Sequence, residues 1–246
     1  SKVKEARKNN MKIPALLYKK APVLLIAATL VVAGCATGPD RDPRDPLEDF
    51  NRAVYSFNDM LDRALVTPLA EGYNAITPAP VNRGVTNFFN NLEDVRSALN
   101  NLLQFKIGRA FSDVGRVAVN STIGILGLLD VASNMNLPRY DEDFGQTLGV
   151  WGFGSGPYLV LPFFGPRSVR DGVGVVVDWY TDPLILIDDS TVRWSLIGLD
   201  IVDIRADLLN ASRVIDQAAL DPYSFIRDAY LQRRQNLVYD GNPPEE

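Results

Sequence analysis

The chain carries one cysteine, Cys35, and it stands directly behind a short apolar run with a basic flank. Lys2, Lys4, Arg7, Lys8, Lys12, Lys19 and Lys20 face a single acid, Glu5, so residues 1–34 hold a charge of +6. Residues 21–33 are then apolar apart from Pro22 and Thr29. Such a run is too short to span a bilayer, which takes about 20 residues. A basic flank, a short apolar stretch and small residues ahead of a cut point describe a secretory signal, not a structural helix. Met11-Lys12 through Cys35 is by itself a complete signal. A lone cysteine makes no internal disulfide, so the exported body must hold together by packing and hydrogen bonding.

Setting residues 1–34 apart changes the charge of what remains. The whole chain has a net charge of −5, whereas the body from Cys35 onward has 18 basic and 29 acidic residues, net −11. Its one lysine is Lys106. An acidic body of this kind does not fit a nucleic-acid partner. It also gains nothing electrostatically from anionic headgroups, so contact with lipid has to come from an anchor and from apolar faces.

The body reads as one mainly α-helical domain over residues 47–240, behind a polar, proline-rich tether at 35–46 and ahead of a polar tail at 241–246. Asp45, Pro46 and Glu48 form a helix start, with Asp45 as the cap. Leu47, Phe50, Val54, Phe57, Leu61 and Leu65 make one apolar stripe on a helix ending near Pro68. A second helical stretch follows Pro78-Ala79-Pro80, with Val81, Val85, Phe88, Leu92, Val95 and Leu99 on one face and Asn87, Asn90, Asn91, Asn100 and Asn101 on the other. Asn90-Asn91 marks a break in it. A third stretch covers 108–132, and 133–144 is an exposed loop. Residues 145–166 are rich in glycine, proline and aromatics, and the spacing predicts a hairpin-like loop around Gly154-Ser155-Gly156-Pro157. Helical spacing returns at Val169, Val173, Val176 and Tyr180, again over 191–219 as one or two helices, and finally from Asp221-Pro222 to Val238. Each apolar stripe taken alone reads as core-facing; an anchored chain adds the alternative that the set faces a membrane leaflet.

Catalytic signals are sparse. The sequence has no histidine, which excludes Ser-His-Asp and Cys-His catalysis and the common zinc sites. Gly152, Gly154 and Gly156 lack the dinucleotide spacing, no Lys-Ser/Thr follows as in a P-loop, and Ser155 lacks the flanking glycines of a nucleophile elbow. Asp141-Glu142-Asp143 and Asp188-Asp189 do not have calcium-loop spacing. No cofactor and no metal is expected. Arg193 stands out as a cation among Ile185, Leu186, Ile187, Val192, Trp194, Leu196 and Ile197. It either pairs with Asp188 or Asp189 on an exposed face or meets a lipid phosphate.

Val32-Ala33-Gly34-Cys35 resembles the lipobox of bacterial lipoproteins, in which the cysteine becomes the acylated first residue. Ala36 is not the aspartate that retains enterobacterial lipoproteins in the inner membrane. The run from Asp45 to Arg52, continuing Ala-Val-Tyr-Ser-Phe-Asn, resembles the start of the MlaA/VacJ family of outer-membrane lipoproteins. Asn120-Ser121-Thr122-Ile123-Gly124, the run from Phe144 to Gly149, Gly156-Pro157-Tyr158 with Leu161-Pro162-Phe163, Ser168-Val169-Arg170-Asp171 and Asp221-Pro222-Tyr223 extend the likeness in order along residues 45–235.

That resemblance implies a non-enzymatic protein of the outer membrane's periplasmic leaflet, embedded in that one leaflet. The implied fold is a ring of amphipathic helices around a central channel. Its implied partners are outer-membrane phospholipids, a trimeric porin and a soluble periplasmic lipid carrier. The implied role is removal of strayed phospholipid from the outer leaflet, which maintains lipid asymmetry. By the same resemblance Phe50 and Phe57 would line the channel, Arg193 would be a channel cation, and Gly154, Gly156, Pro157 and Tyr158 would belong to a gating loop. The rival readings are a histidine-free envelope lipase or glycosidase, and a lipoprotein that scaffolds porins without moving lipid. Replacing the anchor tests the first link: Cys35→Ala is expected to abolish acylation and release the protein from the outer-membrane fraction. Retention of that variant in the fraction would contradict the lipoprotein reading.

Overall fold

A computed structural model describes residues 42–244. The signal, Cys35 and most of the tether lie outside the described residues. The architecture is mainly α, as expected. In chain order the elements are α1 (Glu48–Leu61), a π turn (Asp62–Val66), α2 (Thr67–Ile76), α3 (Ala79–Leu103), α4 (Ile107–Thr122), the short α5 (Val131–Asn134), α6 (Phe144–Val150), β1 (Tyr158–Leu161), β2 (Gly165–Ser168), α7 (Val169–Thr181), a 3-10 turn (Pro183–Leu186), α8 (Ser190–Ala218) and α9 (Pro222–Val238). No helix among the described residues is long and apolar enough to cross a membrane.

The helices are turned with their polar faces inward. Among the described residues, nineteen buried polar or charged side chains outnumber eleven buried apolar ones. On α3 the buried set includes Asn91, Asp94, Ser97, Asn100 and Asn101, while Leu99, Leu102 and Leu103 are exposed. On α4, Asp113, Arg116 and Asn120 are buried, and Phe111 and Val114 face out. On α7 the whole Val169, Val173, Val176, Tyr180 stripe is exposed. Helical periodicity identified these stripes correctly; on α7 the core-facing reading had the direction reversed, while on α1 and α3 exposed residues such as Phe50, Val81 and Leu99 alternate with half-buried ones such as Val54, Phe88 and Leu92.

A polar interior requires its groups to satisfy one another. Between α3 and α4, Arg116 Nε donates to Asp94 Oδ2 at 2.9 Å, Asn101 Nδ2 to Asp113 Oδ2 at 2.8 Å and Asn91 Nδ2 to Ser121 Oγ at 3.0 Å. Arg234 on α9 bridges Asp143, which caps α6, and Asp171 in the first turn of α7. Burial opposes ionisation of Asp143, but the Arg234 contact outweighs it and holds the carboxyl down at about 2. Where α6 and α7 cross, a Cβ at Gly174 would lie 2.5 Å from the Gly145 nitrogen, so the backbones meet without side chains between them.

Two asparagines on α1 pair with β1 as a neighbouring strand would. Asn51, 0% exposed, donates to the Tyr158 carbonyl at 3.1 Å and accepts from the Val160 N–H at 2.8 Å. Two turns on, Asn58 donates to the Leu161 carbonyl at 3.0 Å and accepts from the Phe163 N–H at 2.9 Å. β1 and β2 pair antiparallel from Tyr158↔Ser168 to Leu161↔Gly165. Beneath them, Tyr158, Val160 and Tyr223 form an apolar cluster with Tyr55 and Tyr230.

Several local expectations are corrected. Asp45 does not cap α1; it is buried, accepting from Asn51 at 2.8 Å and from the Tyr223 hydroxyl. Among the described residues, packing contacts are thus already made at position 45, within the stretch expected as tether. The first helix does not end at Pro68. The wider π turn ahead of it relieves the clash a proline ring makes with the carbonyl four residues back. Asn90-Asn91 does not break α3, because Asn91 spends its amide on α4 rather than on its own backbone. The third helix stops at Thr122. Residues 133–144 are not wholly exposed, since Glu142 is buried against Gln104 and Lys106. The hairpin turns at Pro162-Phe163-Phe164, not at Gly154-Ser155-Gly156-Pro157, which precedes it. Residues 190–218 are one helix, and α9 starts and ends where the sequence placed it.

Asp113 provides a test of this interior. Burial, and after it the neighbouring Asp94 charge, push its carboxyl up to about 7. A carboxyl raised in the folded state stabilises most at low pH, and that contribution is lost as pH rises from about 4 through 7. Relative to wild type, Asp113→Asn is expected to gain stability over that window, by up to about 1.4 kcal/mol per pH unit. Thermal midpoints in detergent across pH 4–8 measure this. Parallel profiles for the two proteins would contradict it.

Candidate functional site

A cleft open to solvent on one side lies between the polar side of α3 and the middle of α8. It measures about 210 Å³ and is lined by Thr86, Phe89, Asn90 and Glu93 from α3 and by Asp200, Asp203, Ile204, Asp207 and Leu208 from α8. A narrower recess of about 50 Å³ shares Phe89, Glu93 and Asp200 and extends toward Arg96, Asp182 and Leu184. Phe89, Ile204 and Leu208 supply apolar lining and the acids supply polar lining, so the space has the two-sided chemistry of an amphiphile.

Its charges are held unequally. Asp203 is buried and accepts from the Tyr73 hydroxyl and from Thr86 Oγ1, each at 2.8 Å. Burial first, and then that bond, push the Tyr73 hydroxyl up to about 12. Glu93 is drawn toward Arg139 and, at 3.2 Å, toward Arg96. Asp200 accepts no hydrogen bond from a described residue, and burial followed by the charges of Glu93, Asp182 and Asp203 pushes it up to about 7. Arg96 is the one basic residue lining these spaces, and its buried Nε has no acceptor. In the recess Arg96 stands as the one cation among Glu93, Asp182 and Asp200, and a cationic group in the wider part would find Asp200 and Asp207. No group of three or more metal-ligating side chains occurs among the described residues.

The residues singled out from sequence lie around this space rather than in it. Phe50 and Phe57 are 51% and 40% exposed on α1. Phe57 meets Phe163 at the hairpin tip edge-on, with centroids 5.7 Å apart. Arg193 sits in the first turn of α8, half-buried, donating to the Ile187 carbonyl at 3.0 Å. Asp189 caps α8 through Thr191 N and Val192 N instead of pairing with it. Gly154, Gly156 and Pro157 lie in a loop strapped to α7, where Arg170 N donates to the Ser155 carbonyl at 3.1 Å and Val169 N to that of Pro157 at 3.0 Å. Tyr158 is not part of that loop; it is 1% exposed in β1.

Arg96 and Asp200 were missed from sequence. Arg96 follows Asp94 and Val95 in a stretch where polar and apolar residues alternate at helical spacing. Only the inward direction of the polar face would have distinguished it from a solvated arginine.

Comparison with known proteins places these features in a family. The family model described as MlaA lipoprotein matches residues 43–237. A curated relative from Escherichia coli (strain K12), the "Intermembrane phospholipid transport system lipoprotein MlaA", is 36% identical over 236 residues, covering 91% of this chain and 90% of its own. Its namesake from Haemophilus influenzae is 33% identical over 240 residues, covering 90% and 92%. A solved structure from work on the "Structural basis for maintenance of bacterial outer membrane lipid asymmetry" superposes with a TM-score of 0.68 at 34% identity, covering 80% of this chain and all of that one. The chain belongs to the MlaA lipoprotein family.

Proposed function

We propose that this chain is an outer-membrane lipoprotein that takes phospholipid strayed into the outer leaflet and passes it inward, maintaining lipid asymmetry. The observation that carries this reading is the reversed polarity of the body, with apolar stripes outside and hydrogen-bonded polar faces within. In water such a surface would aggregate; in the hydrocarbon of one leaflet it is the stable arrangement. The lipobox-like Cys35 anchors it there from the periplasmic side, and the helices surround a channel through which the lipid passes.

The cavity between α3 and α8 is the part of that path in which a headgroup lies. Arg96 meets the phosphate, Phe89, Ile204 and Leu208 meet the chains, and Arg193 offers a second cation at the start of α8. Phe50 and Phe57 form the wall on the hairpin side. The 151–157 loop and the hairpin tip control passage. Moving a lipid breaks no bond, so the protein only has to lower the cost of carrying a charged headgroup through hydrocarbon. Direction comes from its partners, a trimeric porin that holds the body in place and a soluble periplasmic carrier that receives the lipid.

A photo-crosslinking residue at Ile204 tests the site in living cells. A covalent phospholipid adduct is expected, reduced several-fold by Arg96→Gln and by Arg193→Asp, with Arg193→Lys restoring it. Absence of any adduct at Ile204 in the otherwise wild-type protein would remove the cavity from the path. Lyso-lipid products would favour a lipase instead.

A further inference from the structure

Between α4 and α5 the chain reads Ile-Gly-Ile-Leu-Gly-Leu-Leu over residues 123–129, with no polar side chain. Ile123, Ile125, Leu126, Leu128 and Leu129 are all exposed, Ile125 to 59% and Leu126 to 70%. A connection facing water ordinarily carries polar side chains and leaves its backbone to the solvent. This one does neither.

Its backbone is bonded internally. The N–H groups of Ile123 and Gly124 donate to the Val119 carbonyl, that of Leu126 to Ser121, that of Gly127 to Asn120 at 2.8 Å, that of Leu128 to Ile125 and that of Leu129 to Gly124 at 2.8 Å. Asn87 reaches from α3 to the Leu128 carbonyl at 3.1 Å. Six of its seven N–H groups are thus paired within the protein, which lowers the cost of standing in hydrocarbon, where no water replaces a missing partner.

The segment is also rigid. Ile125 (φ 55°), Leu126 (φ 56°) and Gly127 (φ 90°) are successive left-handed residues, a conformation that side-chain-bearing residues, and β-branched isoleucine above all, take only when the surroundings impose it. The imposition is visible at the glycines. A Cβ at Gly124 would lie 2.2 Å from the Leu129 carbonyl oxygen, and one at Gly127 would lie 2.8 Å from Asn91 Cβ. Asn91 is in turn fixed to Ser121. Asn87 and Asn91, which hold the segment, share the turns of α3 on which Thr86, Phe89, Asn90 and Glu93 line the cavity.

We propose that residues 123–129 form a rigid apolar wedge that stands among the acyl chains of the leaflet and parts them beside the cavity. Phospholipid acyl chains are its occupant. The uncharged, internally bonded turn fits hydrocarbon, and the exposed Phe111 and Val114 continue its surface along α4. The wedge rests on the leaflet-embedded reading above, and the test separates the two.

Cys35 is the only native cysteine, and acylation consumes its thiol, so Leu126→Cys and, separately, Val173→Cys on α7 each offer one site for a nitroxide. Leu126 is exposed, so its replacement leaves the packing intact. The labelled full-length lipoprotein is placed in vesicles of phosphatidylethanolamine and phosphatidylglycerol. Collision with oxygen, which concentrates in hydrocarbon, is then compared with collision with a water-soluble nickel chelate. At both sites the oxygen-to-nickel ratio is expected to exceed, several-fold, that of a label at Asn242 in the polar tail. A nickel-accessible Leu126 beside an oxygen-accessible Val173 overturns the wedge and leaves the leaflet reading standing. Nickel access at both sites overturns the leaflet reading and the wedge with it. Shielding of Leu126 from both reagents marks a protein-covered knob and overturns the wedge.

Discussion

The pairing of Arg116 with Asp94, with both side chains buried between α3 and α4, is the contact on which the reversed arrangement depends. Two charges removed from water cost several kcal/mol each unless they meet and their remaining hydrogen-bonding capacity is filled. Here Arg116 also reaches the Leu137 carbonyl at 2.9 Å and Ser133 Oγ at 3.1 Å, while Arg139 approaches the other Asp94 oxygen at 3.1 Å. Asp143, Asp171 and Arg234 repeat the device where α6, α7 and α9 meet. With the interior held by directional contacts, the apolar side chains are left free to face outward.

Directional bonding also accounts for the positions of the parts near the cavity. Asn51 and Asn58 hold β1 against α1, so the hairpin tip and Phe57 are placed by the same helix. Asn87 and Asn91 tie the 123–129 turn to α3, whose neighbouring side chains line the cavity. At Asn51 and Asn58 the amide serves well because it carries both donor and acceptor, and so matches a backbone edge without adding charge.

Much of the fold was legible in the sequence. Asp221-Pro222 marked the start of α9, Val238 its end, and the stripes on α1, α3 and α7 appeared at their correct spacing, because capping residues and helical period act locally. Direction was not legible. An apolar stripe at a period of 3.6 residues looks the same whether it meets a core or a lipid chain, and the Asn-rich face of α3 looks the same whether it meets water or Arg116. Asp45 shows the same limit on a smaller scale. Its cap-and-proline setting was genuine, but Asn51, Tyr223 and Arg227, the last two far along the chain, claimed its carboxylate. For the site, sequence drew attention to Arg193 because its neighbours are apolar. The arginine that lines the cavity is Arg96, among polar neighbours that the fold turns inward.

The proposed function has a body with a polar interior and apolar exterior, anchored at one leaflet, move phospholipid out of the opposite one. The most direct measurement is the amount of phospholipid in the outer leaflet of intact cells, labelled from outside, with the gene for this chain deleted and then restored. Outer-leaflet phospholipid is expected to rise on deletion and to return to the wild-type level on restoration. An outer leaflet unchanged by deletion, in cells whose porins still assemble, would contradict it.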